Sequence, residues 1–239
     1  MSITDVPSAP RWIEVLSSIQ RKPENIDQNI YQIATVDAEG APHVRSHMHR
    51  GILYPIDSPD RPVILTSTDV RTPKVTQMLH NMRTELVWHF NGTQEQLRIA
   101  GFAHIVPTPS NPTFDSFEPS TYLDLSKFEK QGFDWEKKRK EVWSEMSPQF
   151  RAMWCTPDPG THLSSFDEAK TWPTSVPNLG EAKTAAEKKV QEMSLSNFAL
   201  VIIEPVEVDW VTSSVFPNRR IKWTRQGSSG NWKEEILVP

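Results

Sequence analysis

The chain has one cysteine, Cys155, in 239 residues. A single thiol excludes an internal disulfide, so the fold must rest on a buried core, and a reducing compartment such as the cytoplasm is the default setting. No apolar run approaches the length of a membrane span. The opening residues, MSITDVPSAPRW, hold neither an apolar stretch nor an early basic cluster, so no secretion signal is readable and cytoplasmic localisation is expected. Basic residues are not in excess: 26 Lys and Arg stand against 30 Asp and Glu, a net charge of −4. Neither a nucleic-acid partner nor a membrane surface is expected of such a chain. Internal repeats and the G-x-S-x-G elbow of serine hydrolases are also missing.

Twenty prolines predict extensive loop, and nine tryptophans are many for this length. Residues 10–21 read as an amphipathic helix, with Trp12, Val15, Leu16 and Ile19 at three- and four-residue spacing. Strand-type segments follow at 30–36, 43–52 and 63–68, and a helix begins near Pro73. Two more strands, 85–90 and 95–106, flank a loop with a glycine. Residues 107–197 read as a loop-rich helical insertion, with helices at 134–146 and 181–193. Strands resume at 198–211, and a hairpin closes the chain. The expected architecture is a single domain over 1–239, mainly β (β+α), with the antiparallel strands closed into a barrel and helices outside.

The most informative stretch is Ser67-Thr68-Asp69-Val70-Arg71-Thr72-Pro73-Lys74. Thr72 suits an N-cap and Pro73 the first helical position. A helix start presents unpaired N–H groups and partial positive charge, which together favour an anion. Lys74 adds a full charge, and Thr68 and Thr72 add hydroxyls. Taken alone, such a stretch is more often an ordinary capped helix with a solvated lysine. Arg45 and Arg50 precede it, but their opposite parity sends them to opposite faces of a flat strand. A bulge or strand end near Gly51 is needed for both to meet one ligand. Gln96, in an otherwise apolar strand, needs a hydrogen-bond partner. Trp210 precedes a turn and Arg220 opens the last hairpin; core and surface filling explain both equally well.

In this order the pieces resemble the pyridoxamine 5′-phosphate oxidase-like FMN-binding family. Arg45-Ser-His-Met-His-Arg50 matches its Arg–x4–Lys pattern, with arginine for lysine. Ser67-Thr68-Asp69 and Thr72-Pro73-Lys74 stand where the family has Tyr-Thr-Asn and Ser-Arg-Lys. Asn81, the Gln96–Gly101 spacing, the Trp210–Arg220 spacing and the Trp232-Lys233…Leu237-Val-Pro239 ending complete the likeness, over about 10–106 and 198–239. The resemblance implies an FMN-binding split β-barrel with an N-terminal helix. Arg45, Arg50, Ser67, Thr68, Thr72 and Lys74 would hold the flavin phosphate and its surroundings, and Gln96 would touch the ring. Trp210 and Arg220 would come from a second copy, in a homodimer with flavin sites at its interface. The true oxidase carries a substrate-binding Arg and His in the segment that here reads Phe216-Pro217-Asn218-Arg219-Arg220. Both are absent, so the resemblance implies FMN and a small-molecule substrate other than pyridoxamine phosphate. An FMN-dependent oxidoreductase, a flavin sensor or carrier without turnover, and a fold that has lost its cofactor are the three functional readings.

Other chemistry is weaker. His47 and His49 could offer two metal ligands, but the third would have to come from a loop holding Asp57 and Asp60, so no metal is expected. Haem on a histidine is an alternative to the flavin. Cys155 reads as an inert thiol, Arg151 as a surface arginine, and EKKRKE (136–141) as a solvated helix face.

Overall fold

A computed structural model describes residues 9–111, 125–227 and 231–239. The arm read at the N-terminus, most of the Pro-rich stretch after Asn111 and the tip of the last hairpin lie outside these residues. Helix α1 (Arg11–Gln20) forms as its spacing predicts: Trp12, Leu16 and Ile19 fall on one face and are fully buried. Strands β1 (Ile30–Val36), β2 (Pro42–Met48) and β3 (Gly51–Leu53) follow. Then come β4 (Val63–Asp69), α2 (Pro73–His80), β5 (Arg83–Phe90) and β6 (Glu95–Val106). The insertion holds α3 (Leu125–Lys130), α4 (Trp135–Ser144), α5 (Pro148–Ala152) and α6 (Ala185–Asn197). The last of these starts on a reciprocal capping box between Thr184 and Glu187. Strands β7 (Phe198–Thr212), β8 (Arg219–Arg225) and β9 (Trp232–Leu237) end the chain.

All the strand pairs are antiparallel, in the order β2-β1-β5-β6-β7-β4-β3, with β8 and β9 added along β7. The first half of β7 pairs with β4 and its second half with β8, so the sheet forks there. A bulge at the fork sets Ala100 opposite Glu207 but Gly101 opposite Pro205. A Cβ on Gly101 would lie 2.2 Å from the Glu204 carbonyl oxygen, which requires glycine at this close approach.

The path does not return to its start, and this corrects the expected mainly β split barrel. The fold is mixed α/β, with a sheet that is not closed. The cause lies in the segment read as one strand over 43–52. It breaks after Met48, and Gly51 takes a φ of +124°. The first piece pairs with β1 and the second with β4, so no ladder joins β2 to β4. Among the described residues, bonds of the Thr66 side chain cross that gap: Thr66 Oγ1 donates to Met48 O at 2.8 Å and lies 3.1 Å from His47 Nδ1.

Strand parity explains two hydrophobic clusters. Ala199, Val201 and Ile203 of β7 face α1 and the interior, with Trp12, Trp88 and Trp223. Phe198, Leu200 and Ile202 face the other way, onto the insertion, with Trp135, Trp143 and Trp154. Burial on both faces is why this strand is apolar without alternation. Arg139, inside the stretch read as a solvated face, is buried instead. It donates to Leu195 O and Phe198 O and pairs with Glu136, tying α4 to the start of β7. No helix among the described residues is long and apolar enough to cross a membrane.

Candidate functional site

The break between β2 and β3 opens a cavity of about 530 Å³, within the range of small-molecule sites. One wall comes from β2, β4 and the start of α2: Ser46, His47, Met48, Arg50, Ser67, Asp69, Thr72 and Lys74. The opposite wall comes from the insertion, chiefly Phe150, Met153, Trp154 and Trp172.

Lys74 stands in the first turn of α2, whose N-terminus no side chain caps. Thr72 occupies the N-cap position, yet its hydroxyl donates to Asp69 O at 2.7 Å. Thr68 is buried behind the wall, with its hydroxyl also directed to Asp69 O. Neither threonine therefore caps the helix, and its open end faces the cavity beside Lys74. Burial pushes the Lys74 ammonium below the usual lysine range, and nearby Arg45 pushes it further, against the pull of Asp69. Arg45 is itself lowered by burial. Its guanidinium donates to Thr35 Oγ1 at 2.6 Å and Gln77 Oε1 at 2.8 Å, both neutral acceptors. Among the described residues no carboxylate lies within 4 Å of either cation. Asp69 is held away by Arg71, which grips both of its oxygens at 2.9 and 2.7 Å.

His47 belongs to the same end. Burial, Lys74 and Arg45 lower it to about 3. Thr66 spends its proton on Met48 O, so His47 Nδ1–H donates to Thr66 Oγ1 at 3.1 Å, and the Nε2 lone pair has no protein partner. His49 lies in the strand break and packs against Trp88, with centroids 4.7 Å apart and the rings tilted by 48°.

Arg50 lines the same cavity. Its Nε donates to Ser67 Oγ at 3.3 Å, and its guanidinium lies 5.2 Å from the Phe150 ring centroid. Burial lowers it, while Glu145 and Tyr31, not Asp69, act on its charge. The strand break near Gly51 is present; Arg45 is held by Thr35 and Gln77, and Arg50 by Ser67.

Three further candidates sit elsewhere, on β6, β7 and β8. Gln96 is in register with Val211, and Val211 with Arg220, so Gln96 and Arg220 share a sheet face. Arg220 makes a paired contact with Asp209 at 3.1 and 2.8 Å. Trp210 turns to the other face, packs on the first core and donates to Glu95 at 3.3 Å. Within one chain these residues are not brought to the cavity.

Reading the sequence alone named no residue of the insertion wall as a site residue. A latch fixes it: Trp154 Nε1 donates to Thr68 O at 3.2 Å, and Arg71 to Thr156 O at 2.9 Å. Arg151 is buried, not at the surface, because Ser144 O, Met146 O and Val176 O take its donors. Cys155 is buried and burial pushes its thiol up, which suits an inert role.

A family described as pyridoxamine 5′-phosphate oxidase, FMN-binding domain, matches residues 9–107. Pyridoxine/pyridoxamine 5′-phosphate oxidase 2 of Arabidopsis thaliana is 24% identical over 235 residues, covering 95% of this chain and 96% of that protein. The chain is a divergent, low-identity relative of the pyridoxamine 5′-phosphate oxidase-like FMN-binding family. Two solved structures share the fold. A family-related FMN-binding protein of Nostoc punctiforme is 22% identical, with all of both chains covered and a TM-score of 0.69. PhzG of Burkholderia lata, solved with tetrahydrophenazine-1-carboxylic acid, is 19% identical, covering 98% of this chain and 95% of that one, with a TM-score of 0.55. The matched residues 9–107 contain β2, β4 and α2 but end before the insertion wall.

Proposed function

We propose that the chain binds FMN through the Lys74 end of the cavity and uses it as an oxidoreductase on a substrate other than pyridoxamine phosphate. The observation that carries this is the pair Lys74–Arg45, two desolvated cations with no described carboxylate within 4 Å, Lys74 standing in the first turn of an uncapped helix. A phosphate monoester carries about −1.5 to −2 charges and relieves their repulsion on binding. The fit is chemical as well: the His47 Nε2 lone pair can accept from a hydroxyl of the ribityl chain. Ser67, Thr68 and Thr72 then shape the phosphate end, with the two threonines holding Asp69 O and so the turn that presents Lys74. When bound, FMN supplies the electron-transfer chemistry, and the protein binds it, orients it and excludes water.

Gln96, Trp210 and Arg220 enter this reading through a second copy of the chain, in a homodimer whose site is completed across the interface. An altered substrate is supported by Phe216, fully exposed at the position where the family's oxidase carries a substrate-binding arginine. The test is an absorbance spectrum of the purified protein with mass spectrometry of the heat-released ligand, then reduction by NADH or NADPH. Flavin bands with the FMN mass are the expected result. A colourless protein that takes up no FMN, or a Soret band, overturns the reading.

A further inference from the structure

The sheet face that carries Gln96 and Arg220 also holds an ion cluster. Arg98 lies opposite Asp209 in the β6–β7 ladder, and Lys222 lies opposite Asp209 in the β7–β8 ladder. Residues two apart on a strand return to the same face, so Gln96, Arg98, Asp209, Arg220 and Lys222 all stand on it. The Asp209 side chain is only 5% exposed, beneath two guanidiniums that are 38% and 30% exposed. Arg98 Nη2 and Arg220 Nη2 both donate to its Oδ2, and Arg220 Nε donates to its Oδ1.

Charge balance alone does not explain this arrangement. Lys222, the direct register neighbour, is passed over. It pairs with Glu207 at 2.8 Å, and Asp209 reaches diagonally to Arg220 instead. Arg98 reaches Asp209 although its own Nε–H is left buried without a partner, which costs the fold. What Arg220 gains is a fixed pose. A guanidinium gripped in plane at Nε and one Nη has its remaining edge aimed in one direction. That Nη1 edge has no partner among the described residues. One arginine on one carboxylate would be electrically silent; with Arg98 sharing Asp209, the cluster stays cationic.

We infer that Asp209 is a positioning residue: it fixes the guanidinium of Arg220 so that the free edge meets the flavin bound to a second copy of the chain. The inference rests on the proposed FMN site and on the homodimer that brings Arg220 to it.

The experiment compares the full-length protein with Arg220→Met, Arg220→Lys, Asp209→Asn and the double variant of Asp209→Asn with Arg220→Met. Lys222→Met is the control. FMN affinity is read by flavin fluorescence, the surroundings of the ring by the visible flavin bands, assembly by light scattering and fold by a thermal melt. Arg220→Met is expected to weaken FMN by about tenfold and to shift the flavin bands. Asp209→Asn gives the same loss and the same shift. The double variant loses no more than Arg220→Met, because residues that act as one unit are not additive. Arg220→Lys loses as much as Arg220→Met, since lysine keeps the charge but cannot make the paired contact. That variant leaves Asp209 in place, so it decides the matter if Asp209→Asn does not fold. Lys222→Met stays within about twofold of the unaltered protein; an equal loss there marks a general charge effect of the face and overturns the inference. Unaltered affinity and bands in Asp209→Asn, additive losses in the double variant, or an Arg220→Lys that behaves as arginine overturns it too, with the cofactor reading left standing. Arg220→Met without effect in protein that holds FMN removes Arg220 from the site and Asp209 with it. Protein that takes up no FMN sinks the cofactor reading itself.

Discussion

Lys74→Met separates binding from stability with opposite signs. In the ligand-free protein the Lys74 ammonium is disfavoured by burial and by Arg45. A lysine whose folded pKa is lowered makes its charged form a liability to the fold near neutral pH. Two unit charges in such partly buried surroundings, at an effective dielectric near 20, repel by on the order of a few kcal/mol. Discounted by half for the contact Lys74 keeps with water, the relief from methionine is on the order of 1 kcal/mol. For a chain of this size that raises Tm by roughly 2–4 °C. The same change removes a charge-assisted bond to the phosphate worth about 1.5–3 kcal/mol, a loss of roughly 10- to 150-fold in FMN affinity. The assay is a thermal melt of FMN-free protein beside an FMN titration by flavin fluorescence. A fall in Tm means that Lys74 has a stabilising partner and the repulsion argument is wrong. An unchanged affinity means that the phosphate does not touch it.

Arg71→Met leaves Asp69 without its guanidinium partner on the cavity wall. A bare carboxylate on the cavity wall repels a bound anion by on the order of 1–2 kcal/mol at an effective dielectric near 20, so FMN affinity falls by about tenfold. Adding Asp69→Asn restores most of it in the same titration; no recovery would show that Arg71 acts only through its bonds to the insertion. His47 and His49, lowered from 6.5 to about 3 and about 4, take up protons in the unfolded chain first. Their stabilising effect is therefore complete above pH 6.5 and is lost as pH falls toward 4 and 3. At pH 5 each costs on the order of 2 kcal/mol. His49→Phe keeps an aromatic ring against Trp88 and should lose that much less between pH 7 and 5 in urea denaturation; equal losses would refute the assignment.

Local signals in this chain were readable because they rest on periodicity and caps. The α1 face, the start of α2 at Pro73 and the double-sided apolar run of β7 all follow from spacing. Closure of the sheet does not, since it depends on whether the two end strands share a ladder, and one glycine at position 51 decides that. The opposite parity of Arg45 and Arg50 and the need for a break near Gly51 were both legible in the sequence, and the break is present. Phe150, Met153 and Trp172 were not legible, because α5 has five residues, too few to show a period. The Ser147-Pro148 pair was the one local hint, and Ser147 does cap Phe150 N–H at 3.1 Å. Gln96 and Arg220 become neighbours only through strand register across Val211, a relation between segments more than a hundred residues apart.

The two-faced burial of β7 sets a limit on how this protein can change. The segment that walls the cavity also covers Phe198, Leu200 and Ile202, so it cannot be trimmed like a surface loop. Removing it would expose these three side chains on the first half of the sheet's longest strand. Losing the cover over one such phenylalanine side chain alone forfeits roughly 1.5–3 kcal/mol. New substrate preferences must therefore arise at residues such as Met153, which border the cavity without supporting the strand beneath. Divergence in specificity is channelled to a few exposed positions, while the rest of the insertion is restrained by the stability of the whole fold.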